Sequence, residues 1–244
     1  MANWSDPRIV GAPPVSGTGA RSATYDAGLR SYMLSVYNYM ASGVLLTGVV
    51  ALLFARSGYA EAIMFGPGLF KYVIIFSPLA FILVMNFGLN RLSTSNLQML
   101  FWAFAAVMGL SMSTIFFRYT GTSIAQTFFA TSAAFAGLSL WGYTTKKDLS
   151  GMGTFLIMGL VGLLVAMVIN MFLHSGPMAL VINCAGVLIF AGLTAYDTQK
   201  IKSMYDYVAG TDMVGKTVVM GALNLYLDFV NMFQFLLSFM GNRN

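Results

Sequence analysis

Seven stretches of about 20 mostly apolar residues run through the chain, and they constrain its fold more than any other feature. A helix needs about 20 such residues to cross a bilayer, because each adds ~1.5 Å to a path of ~30 Å. The predicted spans are Tyr32–Ala55, Tyr72–Leu89, Leu97–Phe117, Ile124–Tyr143, Gly153–Leu173, Met178–Thr198 and Thr217–Met240. The sequence therefore predicts an all-α membrane protein with seven transmembrane helices.

The composition agrees with a membrane protein and excludes several other classes. Of the 244 residues, 58% are hydrophobic and 9% are charged, whereas a soluble domain carries roughly a quarter charged residues. The net charge of +5 comes from scattered lysines and arginines, and without a basic stripe we expect no nucleic-acid partner. The single Cys184 and the single His174 exclude an internal disulfide and a zinc site built on paired histidines or cysteines.

Residues 1–31 differ from the rest, because they are rich in Pro, Gly, Ser and Ala and contain no apolar run. We expect residues 1–31 to form a flexible tail and residues 32–244 to form the seven-helix transmembrane domain. Nine lysines and arginines lie on the tail side of the spans and four lie on the opposite side. The positive-inside rule then predicts a cytoplasmic N-terminus. Seven spans place the C-terminus outside, unless the last helix is re-entrant.

Small residues at four-residue spacing indicate where helices pack closely. Ala105, Gly109 and Ser113 recur in this way on the third span, and Ala133 and Gly137 do so on the fourth. Small side chains let helix backbones approach each other in lipid, where no hydrophobic effect drives helix association. We therefore expect both stripes to lie at helix–helix contacts.

Two acidic residues lie within the predicted spans: Asp197 near the end of the sixth and Asp228 inside the seventh. A carboxylate in a span costs ~2.5–3.5 kcal/mol on insertion scales, so its first interpretation is functional. Asn224, Asp228 and Asn231 are spaced i, i+4 and i+7, which places them on one helix face. Such a polar stripe is predicted to face the bundle interior or water.

Asp197 and Asp228 would approach each other if the sixth and seventh helices are neighbours and the seventh begins outside the bilayer. Two adjacent carboxylates do not both ionise cheaply, so the pair would share a proton and titrate together. A hard cation, which we expect to be calcium, would neutralise the same pair by binding the carboxylate oxygen atoms. The sequence therefore predicts a site for which protons and calcium compete.

Several motifs resemble one family. The segments Ala195–Ile201 (AYDTQKI) and Leu225–Phe229 (LYLDF) look like the signature of the transmembrane Bax-inhibitor-motif family, also called Bax inhibitor-1. Gly142–Gly151 (GYTTKKDLSG) and the terminal Gly241–Arg243 (GNR) resemble its proteobacterial inner-membrane members. The resemblance runs from about Leu29 to the C-terminus.

This resemblance implies six helices in two layers around a central seventh, and a pH-sensitive calcium leak. It also implies a paired-aspartate sensor whose members match Asp197 and Asp228. In the family, an arginine of the second helix can latch one aspartate in the closed state. Here the only candidate is Arg91, just beyond the second span, and a flanking positive charge explains it equally well.

Other functions stay open at this point. A non-conducting protein that modulates a membrane protease or another membrane partner would use the same pH-dependent switch. An intramembrane aspartyl protease also uses a Tyr-Asp on one helix and an aspartate on the next. Leu225–Leu227 stand where those enzymes carry Gly-x-Gly, so we expect no enzymatic activity. We expect no cofactor; the lipid bilayer, calcium and protons are the expected partners, in a bacterial inner membrane.

Overall fold

The computed structural model describes residues 17–243, with side chains described from residue 24 onward. Within this range the chain forms nine helices. They are α1 (Gly17–Arg56), α2 (Tyr59–Phe65), α3 (Phe70–Gly88), α4 (Thr94–Met112), α5 (Ile115–Arg118), α6 (Gly121–Thr144), α7 (Ser150–Leu173), α8 (Gly176–Val208) and α9 (Met213–Met240).

Seven segments of the described chain are long and apolar enough to cross a membrane, and they confirm the seven predicted spans. They correspond to α1, α3, α4 with α5, α6, α7, α8 and α9. The short helix α2 lies in the connection that contains Gly66, Pro67 and Gly68. α9 begins at Met213, four residues before the predicted span.

The structure places the start of the first helix well before residue 31, since α1 begins at Gly17. The described part of the predicted tail is therefore helical, and residues 1–16 lie outside the described residues. Contacts with α8 hold this extension in place. The Tyr25 hydroxyl donates a hydrogen bond to the Asp206 carboxylate, and the ring of Tyr205 lies 5.3 Å from the rings of both Tyr25 and Tyr32. Aromatic contacts outside the apolar run leave no hydropathy signal, so the sequence did not predict them.

Helix α9 lies at the centre of the bundle. It contacts α1 and α4 on one side and α6 and α8 on the other. α3 packs on α4 and α7 packs on α8, so α1, α3 and α4 form one layer and α6, α7 and α8 form a second. The expectation of six helices in two layers around a central C-terminal helix is thus confirmed.

The predicted stripe of small residues marks a close helix contact on α4, whereas the predicted stripe on α6 does not. A Cβ atom at Gly109 would lie 2.7 Å from the carbonyl oxygen of Thr47 on α1, as the α4 stripe predicts. On α6 the prediction is wrong, because Ala133 and Gly137 are exposed and nothing lies within 4 Å of a Cβ atom at Gly137. The close contact of α6 lies instead at Gly142, where a Cβ atom would overlap the backbone of Ala195 on α8. Four-residue spacing identifies a face of a helix, and the helix can turn that face to lipid.

Candidate functional site

Helices α8 and α9 run antiparallel and make the most extensive helix–helix contact in the described chain. Gly221 of α9 packs against Ile201 of α8 at one end of this contact. At the other end the ring of Phe235 stacks on that of Phe190, with 5.8 Å between centroids. This register brings the two acidic residues of the spans to one level.

The carboxyl groups of Asp197 and Asp228 face each other within hydrogen-bonding reach. Asp228 lies ~22 Å from the start of α9 and ~18 Å from its end, at a rise of ~1.5 Å per residue. Because α9 already begins at Met213, Asp228 lies far enough along the helix to be level with Asp197. The structure therefore unites the two residues that the sequence singled out.

The two carboxyl groups differ in their surroundings. Asp228 is buried, with 4% of its surface exposed, and its Oδ2 atom has no hydrogen-bond donor among the described residues. Asp197 is partly buried and feels the positive charge of Lys200, one helical turn further along α8. A buried acceptor without a donor costs free energy. The pair therefore offers an oxygen that a proton or a cation would satisfy.

Hydroxyl groups from three helices form a chain beside Asp197. Thr198 donates to the Thr194 carbonyl over 2.7 Å, so its only proton is used. Ser139 of α6 must then donate to Thr198 over 2.9 Å, and Tyr37 of α1 must donate to Ser139 over 2.6 Å. This chain links α1, α6 and α8 at the residue next to Asp197. The sequence carried no signal for it, since the residues are far apart in the chain.

Tyr226 lies two residues before Asp228 and points to the layer of α1 and α4, away from α8. Its hydroxyl is 2.7 Å from Thr47 of α1, and Thr47 donates to the Ala105 carbonyl of α4 over 2.8 Å. The ring packs edge-on against Phe104, with 5.2 Å between centroids. Positions two apart on a helix are turned by ~200°, so α9 presents Asp228 to one layer and Tyr226 to the other.

The predicted supporting asparagines are near the pair in sequence but do not join it. Asn224 and Asn231 are partly buried, and the amide of Asn231 donates to the Leu227 carbonyl of its own helix over 2.8 Å. Among the described residues, no hydrogen bond connects either asparagine to an aspartate.

The predicted latch residue also stays apart from the pair. Arg91 is exposed in the connection between α3 and α4, where its N–H donates to the Gly88 carbonyl over 2.9 Å. Lys200 is the cation that acts on Asp197, and Arg91 contributes to the surroundings of neither aspartate.

Two carboxylates alone make a sparse calcium site. Within the described residues, no group of three or more His, Cys, Asp or Glu side chains could hold a metal ion. Calcium takes about 6–8 oxygen ligands, so carbonyl oxygens or water would have to complete the shell around this pair. Such a site suits an ion that binds weakly and leaves again.

Comparison with known proteins gives a consistent match. Residues 29–244 match the family described as inhibitor of apoptosis-promoting Bax1. The chain is 47% identical over 227 residues to a protein of Rickettsia prowazekii, covering 93% of this chain and 95% of that protein. It is 42% identical over 219 residues to the inner membrane protein YbhL of Escherichia coli K12, covering 89% and 94%. A Caulobacter vibrioides protein is 44% identical over 229 residues, covering 88% and 90%.

Proposed function

The chain belongs to the Bax inhibitor-1 family, and from this premise we propose that it is a pH-sensitive calcium leak in which Asp197 and Asp228 form the proton and cation sensor. The single observation that supports this proposal is the contact between the two carboxyl groups inside the helix bundle. Adjacent carboxylates in low-dielectric surroundings repel each other unless a proton or a cation lies between them.

The competition between protons and calcium supplies the switch. When the pair is deprotonated, a calcium ion relieves the repulsion and binds the carboxylate oxygens. When one carboxyl group is protonated, it donates a hydrogen bond to the other, and the affinity for the cation falls. Because the two groups belong to α8 and α9, each change of occupancy alters the packing of these two helices.

Calcium flux into liposomes that contain the purified protein tests the proposal. An entrapped indicator reports the flux across a range of pH for the wild type and for the double variant Asp197→Asn, Asp228→Asn. Asparagine keeps the shape of the side chain, has a donor and an acceptor as a protonated carboxyl group does, and does not titrate. We expect the wild-type flux to vary with pH and the flux of the double variant to be the same at every pH.

A matched control removes two carboxylates elsewhere. Glu61 and Asp212 are exposed, and the double variant Glu61→Gln, Asp212→Asn changes the net charge by the same amount as the test variant. This control should keep the wild-type pH response. Unaltered pH response in the Asp197→Asn, Asp228→Asn protein would show that the paired-aspartate mechanism is wrong.

A second function uses the same switch without conduction. In that case α8 and α9 would change their packing to regulate a membrane protease or another membrane partner. The observation that favours this function concerns the access of ions to the pair. Neither aspartate lines the cavities at the two ends of the bundle. Flux no greater than that of empty liposomes would favour this modulator over the leak.

We place the pair in ion sensing and not in peptide hydrolysis. The cavities at both ends leave Asp197 and Asp228 out of their linings, whereas a protease must bring a peptide bond to both carboxyl groups. Hydrolysis of a transmembrane peptide that Asp228→Asn abolishes would contradict this assignment.

We also infer an inner-membrane location with a cytoplasmic N-terminus, which accessibility labelling of cysteines introduced at the two ends would check.

A further inference from the structure

A second polar site lies beside the aspartate pair, between the α6–α7 connection and α8. It is a cavity of about 380 Å³. Its lining includes three lysines, Lys146, Lys147 and Lys200, together with Ser150 and Ser203. All five side chains are exposed, so the cavity is open to ligands from the aqueous side. The proposed sensor consists of Asp197 and Asp228, and neither of them lines this cavity.

The connection that carries two of the lysines is held in place by one side chain of α8. The Gln199 amide nitrogen donates to the Lys147 carbonyl over 2.8 Å. The Gln199 amide oxygen accepts the Leu149 N–H over 2.9 Å. Both ends of this amide are therefore used to fix the connection against α8. The lysines are brought together before any ligand binds, which lowers the entropic cost of binding.

The charge of the cavity is positive. Asp148 is its only carboxylate among the lining residues, against three lysines. The Asp148 carboxylate accepts the Ser150 N–H over 2.9 Å, and hydrogen bonds from Ser150 hold the pKa of Asp148 below its ordinary value. Asp148 thus stays ionised and turned to the start of α7. The Lys200 ammonium group lies 5.9 Å from the centroid of the Tyr196 ring, which also lines the cavity. Within the part of the chain that the structure describes, hydrogen bonds and ion pairs leave all three lysine ammonium groups available to a ligand.

We propose that this cavity binds a phosphate group through Lys146, Lys147 and Lys200. Basic cavities between transmembrane helices are suited to anionic headgroups, and three ammonium groups around one cavity match the charge and the oxygens of a phosphate. The positive end of the α7 dipole adds to the same field, because Ser150 is the first residue of that helix. The phosphate comes from a phospholipid headgroup or from a soluble phosphate, and the experiment separates these sources.

The cavity lies one helical turn from the carboxylate pair. Lys200 lines the cavity and acts electrostatically on Asp197. A bound phosphate would draw this ammonium group away from Asp197 and change the field at the pair. Such regulation rests on the proposed function, whereas phosphate binding does not and is tested by itself.

Protection of individual lysines from an amine-reactive reagent, read by mass spectrometry, tests the binding. The full chain is placed in nanodiscs of phosphatidylcholine, either alone, with phosphatidylglycerol added, or with inorganic phosphate added to the buffer. Chloride at matched ionic strength controls for charge screening. Lys216, which donates to the Leu89 carbonyl over 3.1 Å, is the internal reference. We expect the labelling of Lys146, Lys147 and Lys200 to slow several-fold while that of Lys216 stays constant.

Protection by phosphatidylglycerol alone identifies a lipid headgroup, and protection by inorganic phosphate identifies a soluble ligand. Absence of protection in both arms, or equal protection by chloride, overturns the proposal.

Retention of phosphatidylglycerol in native mass spectrometry gives a second measurement. A lysine near an anionic lipid contributes roughly fivefold to binding, so Lys146→Gln, Lys147→Gln, Lys200→Gln should weaken retention on the order of a hundredfold. The control Arg91→Gln removes an exposed charge outside the cavity and should retain the lipid as the wild type does. Equal retention by the triple variant and the wild type would exclude the cavity as a lipid site. Gln199→Ala frees the connection and should weaken retention by less than the triple variant does.

Discussion

Helices α7 and α9 are both membrane spans. α7 has the higher mean hydropathy and the smaller buried fraction, whereas α9 has the lower mean hydropathy and the larger buried fraction. The most apolar window of α7 has a mean hydropathy of 2.6, and 11% of it is buried. The corresponding window of α9 has a mean hydropathy of 1.3, and 61% of it is buried. The more apolar helix therefore lies at the surface, and the more polar helix fills the centre.

The more apolar helix lies at the surface because the surface of the spans is surrounded by lipid and not by water. Lipid accepts apolar side chains at no cost, so the 74% exposure of Phe155 on α7 is not destabilising. Polar groups find no hydrogen-bond partner in lipid and must pack inside the protein. Asp228 and Tyr226 therefore require α9 to be central. Mean hydropathy alone does not identify the central helix, because α6 has a mean hydropathy of 1.2 and only 28% of its window is buried.

Truncation of one aromatic residue on each helix should give the largest difference. Tyr226→Ala removes a fully buried ring that packs on Phe104 and hydrogen-bonds Thr47, and should lower the free energy of unfolding by about 3–5 kcal/mol. Phe155→Ala removes an exposed ring of α7 and should change it little. Reversible unfolding by detergent in mixed micelles measures both. Equal losses for the two variants would contradict the burial difference between these helices.

Two glycines of α6 test the same contrast on the two faces of one helix. Gly142→Ala places a methyl group against the Ala195 backbone, which cannot move aside as a side chain would. It should cost about 1–3 kcal/mol of stability. Gly137→Ala points into open space and should be neutral or slightly stabilising, because alanine favours helix. Thermal denaturation in detergent compares the two. A destabilising Gly137→Ala would place that face in a protein contact.

The smallest expected effect concerns a single hydroxyl next to α9. Thr47→Val leaves the Tyr226 hydroxyl without its acceptor and should cost about 0.6–1 kcal/mol, the usual value of a hydrogen bond within a membrane protein. The matched change Thr154→Val on α7 removes a hydroxyl whose only hydrogen bond, among the described residues, goes to the Ser150 carbonyl of its own helix. Thr154→Val should have no measurable effect. The same detergent unfolding assay measures the difference, and a loss from Thr154→Val as large as that from Thr47→Val would contradict it.

The sequence predicted the spans well because the bilayer imposes a length and a polarity on each of them. It did not predict α2 (Tyr59–Phe65), since a helix of 7 residues in a connection has no such requirement. The helical start of α1 was missed for a related reason, because Tyr25 is held by Tyr205 and Asp206 outside the apolar run.

The site was predictable only in part. Asp197 and Asp228 were identified because intramembrane carboxylates are rare, and their register followed once α9 was known to begin at Met213. The hydroxyl chain from Tyr37 through Ser139 to Thr198 depends on the packing of three helices. No spacing in the sequence encodes that packing. For Arg91, the family resemblance suggested a latch on one aspartate, whereas the structure keeps it in an exposed connection.

The contact at Gly142 also restricts how the bundle can move. Ala195, which meets Gly142 backbone to backbone, precedes Asp197 by two residues. With no side chain between them, α6 and α8 cannot move closer together at this point. The two helices thus act mechanically as one unit at the level of the carboxylates. A displacement that separates the two carboxyl groups would therefore have to come from movement of α9 relative to α6 and α8.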